Sequence, residues 1–313
     1  MNLTPEKITE LCDSWVAAVS MEGGGFAIGR ESEQYRLFNN GVQFHDLEYE
    51  SLIASISGLT KVLLLPGLNT VVDQDHFGLW SWCAEVILDR DTAIFSDDEF
   101  ELRKLFETCI RASLVHCRKP VSSQEEWQKQ IEDDRMIPDN LKYFGQEASL
   151  ALAYLAFPLL EGISKKLCKD YVSMDGQVKQ CFEVPGRGAR PRIYDPAHWK
   201  TARCSSLRDL LLLIHNDVAS EALKGELDVL KEHIFNLDDS ADAFDTLYNW
   251  RNQSLHGSTN FQTIGGTLLN LSIMLLIDLI SDGYADIRPQ VLDRCRTNAS
   301  QSFRSPWSYY PPY

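Results

Sequence analysis

Residues 263–281, TIGGTLLNLSIMLLIDLIS, contain the longest apolar run of the chain. The run itself, residues 268–280, includes Asn270 and Asp278 and is shorter than the roughly 20 residues that a helix needs to cross a bilayer. We therefore expect a helix buried at the centre of a globular domain, and no membrane partner.

The sequence on either side of this stretch predicts further helices. Apolar residues recur with helical spacing in four segments, over residues 143–169, 207–218, 221–235 and 238–256. Pro158 removes one backbone donor and is expected to kink the first of them, whereas Gly257 is a typical stop for the last. Helices do not alternate with strands, which argues against a parallel α/β sheet. Residues 141–285 are thus predicted to form an all-α bundle.

Residues 1–140 are predicted to form a second, mainly helical domain. Thr4-Pro5-Glu6 is a typical helix start, with a capping hydroxyl followed by proline and an acidic residue. Asn39-Asn40-Gly41 lies between apolar residues in 35–44 and favours a small β-hairpin. Residues 286–313, rich in Ser, Pro and aromatic residues, are expected to form a flexible tail. The predicted fold class is therefore mainly all-α.

Charge is distributed unevenly along the chain. The net charge of −15 argues against a nucleic-acid partner, but residues 1–140 carry 12 Lys and Arg against 25 Asp and Glu, and residues 141–313 carry 18 against 20. Residues 165–203 carry nine basic and four acidic side chains. Because salt screens charges beyond about 8–10 Å, this segment can attract phosphates despite the overall sign. The alternative is a solvated loop that is basic without such a role.

The same region is interrupted by Gly and Pro residues over 171–203, which predicts a long loop or insertion. It combines aromatic and basic side chains, as surfaces that bind single-stranded nucleic acids do. As an alternative, Trp199 could anchor the insertion on the helical bundle. The candidate RNA-binding residues are Arg187, Arg190, Arg192, Trp199 and Lys200.

Several classes of site lack their sequence pattern. No histidine pair has HxxxH or HExxH spacing, and no pair of the eight cysteines has CxxC spacing. A zinc hydrolase is therefore disfavoured, and we expect neither a metal nor another cofactor. The first residues lack the charged and apolar regions of a signal peptide, so we expect a cytoplasmic protein with free thiols.

Residues 247–257, LYNWRNQSLHG, place Arg251 five positions before His256. This block resembles the catalytic stretch of HEPN ribonucleases, whose signature is R-x4-6-H. The surrounding order is also similar to that family: a long helix with Leu159-Leu160-Glu161-Gly162, then amphipathic helices, the motif, and an apolar closing helix. The resemblance covers about residues 141–285 and does not extend to residues 1–140.

The motif suits metal-free RNA cleavage on chemical grounds. Histidine titrates near neutral pH and can act as general acid or base, whereas arginine stabilises charge on phosphoryl oxygens. Asn252 and His256 lie at i and i+4 on one helix face, but Arg251 lies about 140° from His256 on an ideal helix. Both can reach one phosphate if the helix frays near its end, or if a second copy completes the site.

The resemblance implies a homodimer whose two motifs face one cleft. Arg251 would then clamp the phosphate, His256 would act as acid or base, and Asn252 would orient either of them. Glu161 could approach the motif, although an ordinary solvated glutamate is the alternative. By the same resemblance we expect an endoribonuclease that leaves a 2′,3′-cyclic phosphate without a metal.

Such domains occur in toxin–antitoxin, phage-defence and RNA-processing systems, so the resemblance implies a stress or defence role, with a regulatory protein as a candidate partner. The sequence leaves a second class open: a non-catalytic helical protein that dimerises or docks a partner. Under that alternative, Arg251 would be a surface ion-pair residue and His256 a histidine at a helix C-terminus.

Overall fold

The computed structural model describes residues 3–21, 30–65, 72–118, 121, 123–188, 190–237, 242–255, 260–301, 305 and 308–312. Across these residues the fold is mainly α-helical, as predicted, with one small antiparallel pair of strands, β1 (Phe182–Val184) and β2 (Arg192–Tyr194). The helices of these ranges are, in chain order, α1 (Pro5–Met21), α2 (Arg30–Glu33), α3 (Tyr49–Leu63), α4 (Gln74–Leu88), α5 (Phe100–Ser113), α6 (Gln124–Met136), α7 (Asp139–Gln146), α8 (Ala148–Leu167), α9 (Leu207–Leu213), α10 (Glu221–Leu237), α11 (Ala243–Leu255), α12 (Phe261–Asp278) and α13 (Tyr284–Ser300).

Helix α12 is the predicted core helix, and residues 263–277 are all buried. It packs between α8 and α3. Two adjacent glycines allow this close approach: a Cβ at Gly265 would lie 2.9 Å from the backbone nitrogen of Ala153, and one at Gly266 would lie 2.9 Å from Leu63 Cδ1. The glycines thus set how near α12 comes to its neighbours.

Both polar atoms of a buried amide inside this core have hydrogen-bond partners. Asn270 accepts a hydrogen bond from Trp80 Nε1 at 2.6 Å and donates one to Thr60 Oγ1 at 2.9 Å, which joins α12 to α4 and α3. By length and composition α12 could cross a membrane, but 83% of it is buried inside the protein. Helices α7 and α8 are long and apolar enough to cross a membrane only if they are counted as one segment, and the chain bends by 50° between them.

The predicted boundary at residue 140 does not separate two hydrophobic cores. Helix α8 packs on α5 from the first half, and α10 packs on α3. At the first of these contacts, a Cβ on Gly162 would lie 2.7 Å from Leu102 Cδ1. The buried apolar residues of both halves form one continuous cluster, so the helices on either side of residue 140 fold together.

The hairpin predicted within residues 35–44 is wrong in position. Short 3₁₀ turns occupy Phe38–Asn40 and Phe44–Asp46 instead. The carboxylate of Asp75 accepts the backbone N–H groups of Leu37 and Phe38, each at 2.8 Å, so this segment is anchored without a strand partner. The strands lie instead in the basic insertion, where the rings of Phe182 and Tyr194 stack.

The flexible tail predicted for residues 286–313 is also wrong for the described part of that range. Residues up to Ser300 belong to α13, which packs on α4 and buries Val291 and Cys295. Beyond it, Glu85 Oε1 accepts the backbone N–H of Tyr310 at 2.9 Å. Tyr309 is buried, and the ring of Tyr310 packs edge to face on Trp82, so these two aromatic residues dock the segment on α4.

The helix predicted over residues 143–169 is interrupted at one end. Its chain direction changes by 50° between α7 and α8, at Glu147, whereas α8 continues through Pro158. The predicted kink at the proline is therefore not where the helix breaks. Beyond the break, α8 packs on α12 and contributes Glu161 to the lining of a cleft.

Candidate functional site

A cleft with a volume of about 530 Å³ lies where the basic insertion meets α8, α9 and α11. Its charged lining consists of four arginines and two carboxylates. These are Arg187, Arg192, Arg208, Arg251, Glu161 and Asp209. Two of the arginines come from the insertion and one from the 247–257 motif, so segments that the sequence singled out separately meet in one place.

Arg251 faces the cleft from α11. Its Nη1 lies 3.7 Å from Glu161 Oε2, and Glu161 Oε1 accepts a hydrogen bond from Lys165 Nζ at 2.8 Å. The Arg251 side chain is 42% exposed. Glu161 does approach the motif, and the Asn252 side chain and His256 lie outside the described residues.

Arg208 is the buried arginine of the cleft, with a side chain only 5% exposed. Its Nη1 donates to Asp209 Oδ1 at 3.0 Å and to the Pro185 carbonyl at 2.9 Å, and its Nη2 donates to Asp242 Oδ2 at 2.8 Å. Its Nε lies 3.0 Å from Asp245 Oδ2, in an ion pair without hydrogen-bond geometry. This side chain ties the start of α9 to the start of α11 and to the insertion.

The charge on Arg208 is held by these carboxylates. Burial alone would lower the pKa of its guanidinium, but Asp242, Asp209 and Asp245 outweigh burial and raise the pKa. The sequence did not single out Arg208. The signal that could have done so is an arginine beside an aspartate at the start of the very apolar segment 207–218.

Asp209 fixes the insertion on α9. It accepts hydrogen bonds from Tyr194 Oη at 2.6 Å and from Arg192 Nη1 at 2.9 Å. Burial, and then the bond to Asp209, raise the pKa of the Tyr194 hydroxyl, which therefore stays protonated as a donor. The Arg192 guanidinium lies over the Tyr194 ring, 5.1 Å from its centre. Arg192 is thus held in the cleft by two contacts.

Arg187 is fixed from the other side of the cleft. Its Nε donates to Asp245 Oδ1 at 2.9 Å, and its Nη2 lies 2.8 Å from the same oxygen. Its guanidinium lies over the ring of Tyr248, 5.4 Å from the ring centre. Tyr248, which also lines the cleft, was not singled out by the sequence, although its spacing of three from Arg251 puts both on one helix face.

The other predicted RNA-binding residues lie outside the cleft lining. Arg190 and Lys200 are exposed, and Trp199 is 81% exposed with Lys200 Nζ over its ring at 5.3 Å. Trp199 therefore does not anchor the insertion, which contradicts the alternative role considered for it. Phe182, Val184 and Tyr194 are among the buried residues that anchor the insertion, together with Val172 and Val178.

The exposed guanidinium groups of the cleft are suited to an anionic ligand. The four lining arginines are paired with four carboxylates, those of Glu161, Asp209, Asp242 and Asp245, but Arg187 and Arg192 are more than half exposed. Each guanidinium has several N–H donors in a planar fork, so pairing with one carboxylate leaves donors for another oxygen anion. Fixed arginines lose little freedom when they bind a phosphate, because their carboxylate partners already hold them.

A second cleft, of about 680 Å³, lies between α4, α5 and α13. Its charges are mixed: Arg294 pairs there with Asp89 and with Asp91, the latter at 2.9 Å. Among the described residues, no three His, Cys, Asp or Glu side chains are grouped as metal ligands. The first cleft, with its four lining arginines (the arginine cleft), is therefore the better candidate for a functional site.

Comparison of the chain with models of known protein families, with curated proteins and with solved structures finds no match. The resemblance to HEPN ribonucleases rests on the residues of the motif and their helical setting.

Proposed function

We propose that this protein is a metal-independent endoribonuclease of the HEPN type, whose RNA-binding site is the arginine cleft. The observation that carries the proposal is that Arg187, Arg192 and Arg251 line one cleft although they come from segments about sixty residues apart. The ion pair of Arg187 with Asp245 joins the two segments but does not require Arg192 and Arg251 to line the same cleft. A shared phosphate ligand gives a reason for this arrangement.

The chemistry assigns one role to each part of the site. Arg251 contacts the scissile phosphate and stabilises the charge that builds on its oxygens. His256 exchanges protons with the attacking 2′-hydroxyl or the leaving 5′-oxygen, and Asn252 orients one of the two. The other cleft arginines bind neighbouring phosphates. The products are a 2′,3′-cyclic phosphate and a 5′-hydroxyl.

Arg251 pairs with Glu161 at 3.7 Å, and both side chains are partly exposed, so this ion pair contributes little, about 0–1 kcal/mol. The proposal includes a homodimer, because on an ideal helix Arg251 and His256 point about 140° apart. It also includes a cytoplasmic role in stress response, defence or RNA processing under the control of a partner.

A second candidate function is that of a non-catalytic docking protein. The specific observation in its favour is a group of exposed apolar side chains on and beside α6 and α7, among them Trp127, Met136, Tyr143 and Phe144. Exposed apolar groups of this kind are typical of surfaces that bind proteins. Under this function the cleft arginines would be structural ion-pair residues, and the chain would cleave no RNA.

The experiment is RNA cleavage by the full chain in the presence of a chelator, with tRNA, rRNA and mRNA as substrates. Cleavage is expected for the wild type and a large loss for Arg251→Ala and His256→Ala. Arg103→Ala is the matched control, because Arg103 is also 42% exposed and also pairs with a glutamate, Glu107 at 3.2 Å. Cleavage that survives both motif substitutions, or that the chelator abolishes, would contradict the mechanism.

A further inference from the structure

Helices α6 and α7 form an acidic arm, residues 124–146, directly before α8. The structure describes every residue of these two helices, and none of them is buried. The arm carries six acidic and three basic side chains. A helix of thirteen residues such as α6 is marginal in water without tertiary packing, so a surface that covers it would stabilise it. The apolar side chains of the arm that are more than half exposed are Trp127, Met136, Leu141, Tyr143 and Phe144.

The basic insertion, residues 171–203, exposes the opposite charge. It carries six basic and three acidic side chains. Its apolar side chains Met174, Ile193 and Trp199 are exposed. Because successive residues of a strand point to opposite faces, Ile193 in β2 points away from the cleft that Arg192 lines. The insertion thus has an outer face, separate from the arginine cleft, that is basic and partly apolar.

Helix α8 separates these two surfaces within one chain. The arm ends immediately before α8, and the insertion begins four residues after α8 ends. With 20 residues, α8 is about 30 Å long. Phe144 and Trp199 are 67% and 81% exposed, so neither surface covers the other in the same chain.

A second copy of the chain in the antiparallel orientation brings the two surfaces together. Each acidic arm then lies on the basic insertion of the other copy, and the contact occurs twice, as in any isologous dimer. Stable interfaces bury about 1,600 Å² in total, so each of the two contacts needs to bury only about 800 Å². A different protein would have to match an acidic and a basic surface at opposite ends of α8, whereas a second copy carries both.

We propose that this protein forms a two-fold dimer in which the acidic arm of each protomer packs on the outer face of the basic insertion of its partner. Opposite net charges orient the two surfaces, and their exposed apolar side chains lose water in the contact. The inference goes beyond the proposed function, which includes a second copy of the chain but names no surface for it. The four arginines of the cleft lining take no part in the contact.

Two charge-reversal variants of the full chain test this arrangement in sedimentation velocity at micromolar concentrations. The arm variant combines Glu125→Lys, Glu132→Lys and Asp133→Lys. The insertion variant combines Arg190→Glu and Lys200→Glu, and all five residues are exposed. The wild type should sediment as a dimer. Each variant alone should dimerise at least about tenfold more weakly, because like charges then face each other in both contacts.

A mixture of the two variants is the decisive sample. One variant has a basic arm and a basic insertion, whereas the other has an acidic arm and an acidic insertion. In a mixed dimer both contacts join opposite charges, so mixing should restore dimers to near the wild-type level. Restored dimers also show that both variants are folded.

The apolar part of the contact has a separate test. Ile193→Ser should weaken the wild-type dimer, because it removes an apolar side chain from the outer face of the insertion. Leu279→Ser is the matched control, since Leu279 is 47% exposed against 55% for Ile193 and belongs to neither surface. Equal dimer affinity in these two variants overturns the docking of the arm on this face.

The remaining outcomes are equally distinct. A monomeric wild type overturns the inference and leaves the arm to a different protein. A dimer that neither charge reversal weakens overturns it too, and assigns the homodimer to another surface. Weakened variants whose mixture stays monomeric show that the arm and the insertion do not face each other. None of these measurements depends on RNA cleavage, which the chelator assay tests by itself.

Discussion

Nη2 of Arg208 lies 2.8 Å from Oδ2 of Asp242, which joins the first turn of α9 to the residue that precedes α11. Through this contact a buried cation links the two helices that carry the lining of the cleft. The position of Arg251 relative to the insertion therefore depends on a side chain that is almost inaccessible to a ligand.

Replacing Arg208 by methionine is expected to destabilise the protein by about 3 kcal/mol, because it removes the buried cation that Asp209, Asp242 and Asp245 share. Arg192 still pairs with Asp209, which keeps the loss at the lower end for a buried pair. The free energy of unfolding from urea titration measures the loss. The control is Arg187→Met, which removes an exposed partner of Asp245 and should cost less than about 1 kcal/mol. Similar small losses in both variants would contradict the structural role given to Arg208.

Alanine substitutions at two helical glycines should change the stability of the protein in opposite directions, because one glycine lies in the close packing of α12 and the other does not. Gly265→Ala should destabilise the protein by about 1–3 kcal/mol, because the new Cβ meets the backbone of Ala153. Gly225→Ala in α10 should instead stabilise it by roughly 0.5–1 kcal/mol, since a Cβ there meets nothing within 4 Å. The melting temperatures of both variants measure these changes. A Gly265→Ala protein as stable as the wild type would show that α12 and α8 lie further apart than the structure has them.

The pH dependence of stability should include a contribution from His233 on α10. Its Nε2 is buried without a hydrogen-bond partner, and burial, followed by the charge of Lys61, lowers its pKa from the usual 6.5, whereas Asp13 opposes this shift. The unfolded chain therefore takes up the proton first, so stability is full above pH 7 and falls as the pH drops through 6.5.

For one histidine that stays neutral when folded, the loss between pH 7.5 and 6.0 is at most about 0.8 kcal/mol, and solvent screening at His233 makes it smaller. Urea unfolding at the two pH values should show a smaller loss in His233→Leu than in the wild type. His198→Leu, at an exposed histidine, is the control. The comparison stays above pH 6 because burial raises the pKa of nearby Glu226, which gives a contribution of opposite sign at lower pH. If the loss of stability between the two pH values is the same in His233→Leu as in the wild type, burial of His233 does not lower its pKa.

Much of the fold follows from local sequence patterns. The apolar run that became α12 and the start signal at Thr4-Pro5-Glu6 each specify a helix within a few residues. The hairpin could not be placed this way, because Leu37 and Phe38 obtain their hydrogen-bond partner from Asp75, far along the chain. The C-terminal segment was misjudged for a similar reason, since Glu85 fixes it.

Some residues of the candidate site could likewise be selected from the sequence, and others could not. Arg187, Arg192 and Arg251 could be selected from residue type and motif spacing, since a phosphate needs exposed, fixed cations. Arg208 could not be selected, because its role depends on Asp242 and Asp245, which only the tertiary fold brings to it. The roles of His256 and Asn252 stay predictions.

The most direct test of the central claim is the salt dependence of binding to an uncleavable single-stranded RNA. Phosphate contacts release counterions, so the slope of log K against log salt concentration falls in magnitude by about 0.7 for each contact that is lost. The triple variant Arg187→Gln, Arg192→Gln and Arg251→Gln should therefore show a slope smaller by about 2 than the wild type, whereas Arg103→Gln should leave it unchanged. An unchanged slope in the folded triple variant would contradict the assignment of this cleft as the RNA-binding site.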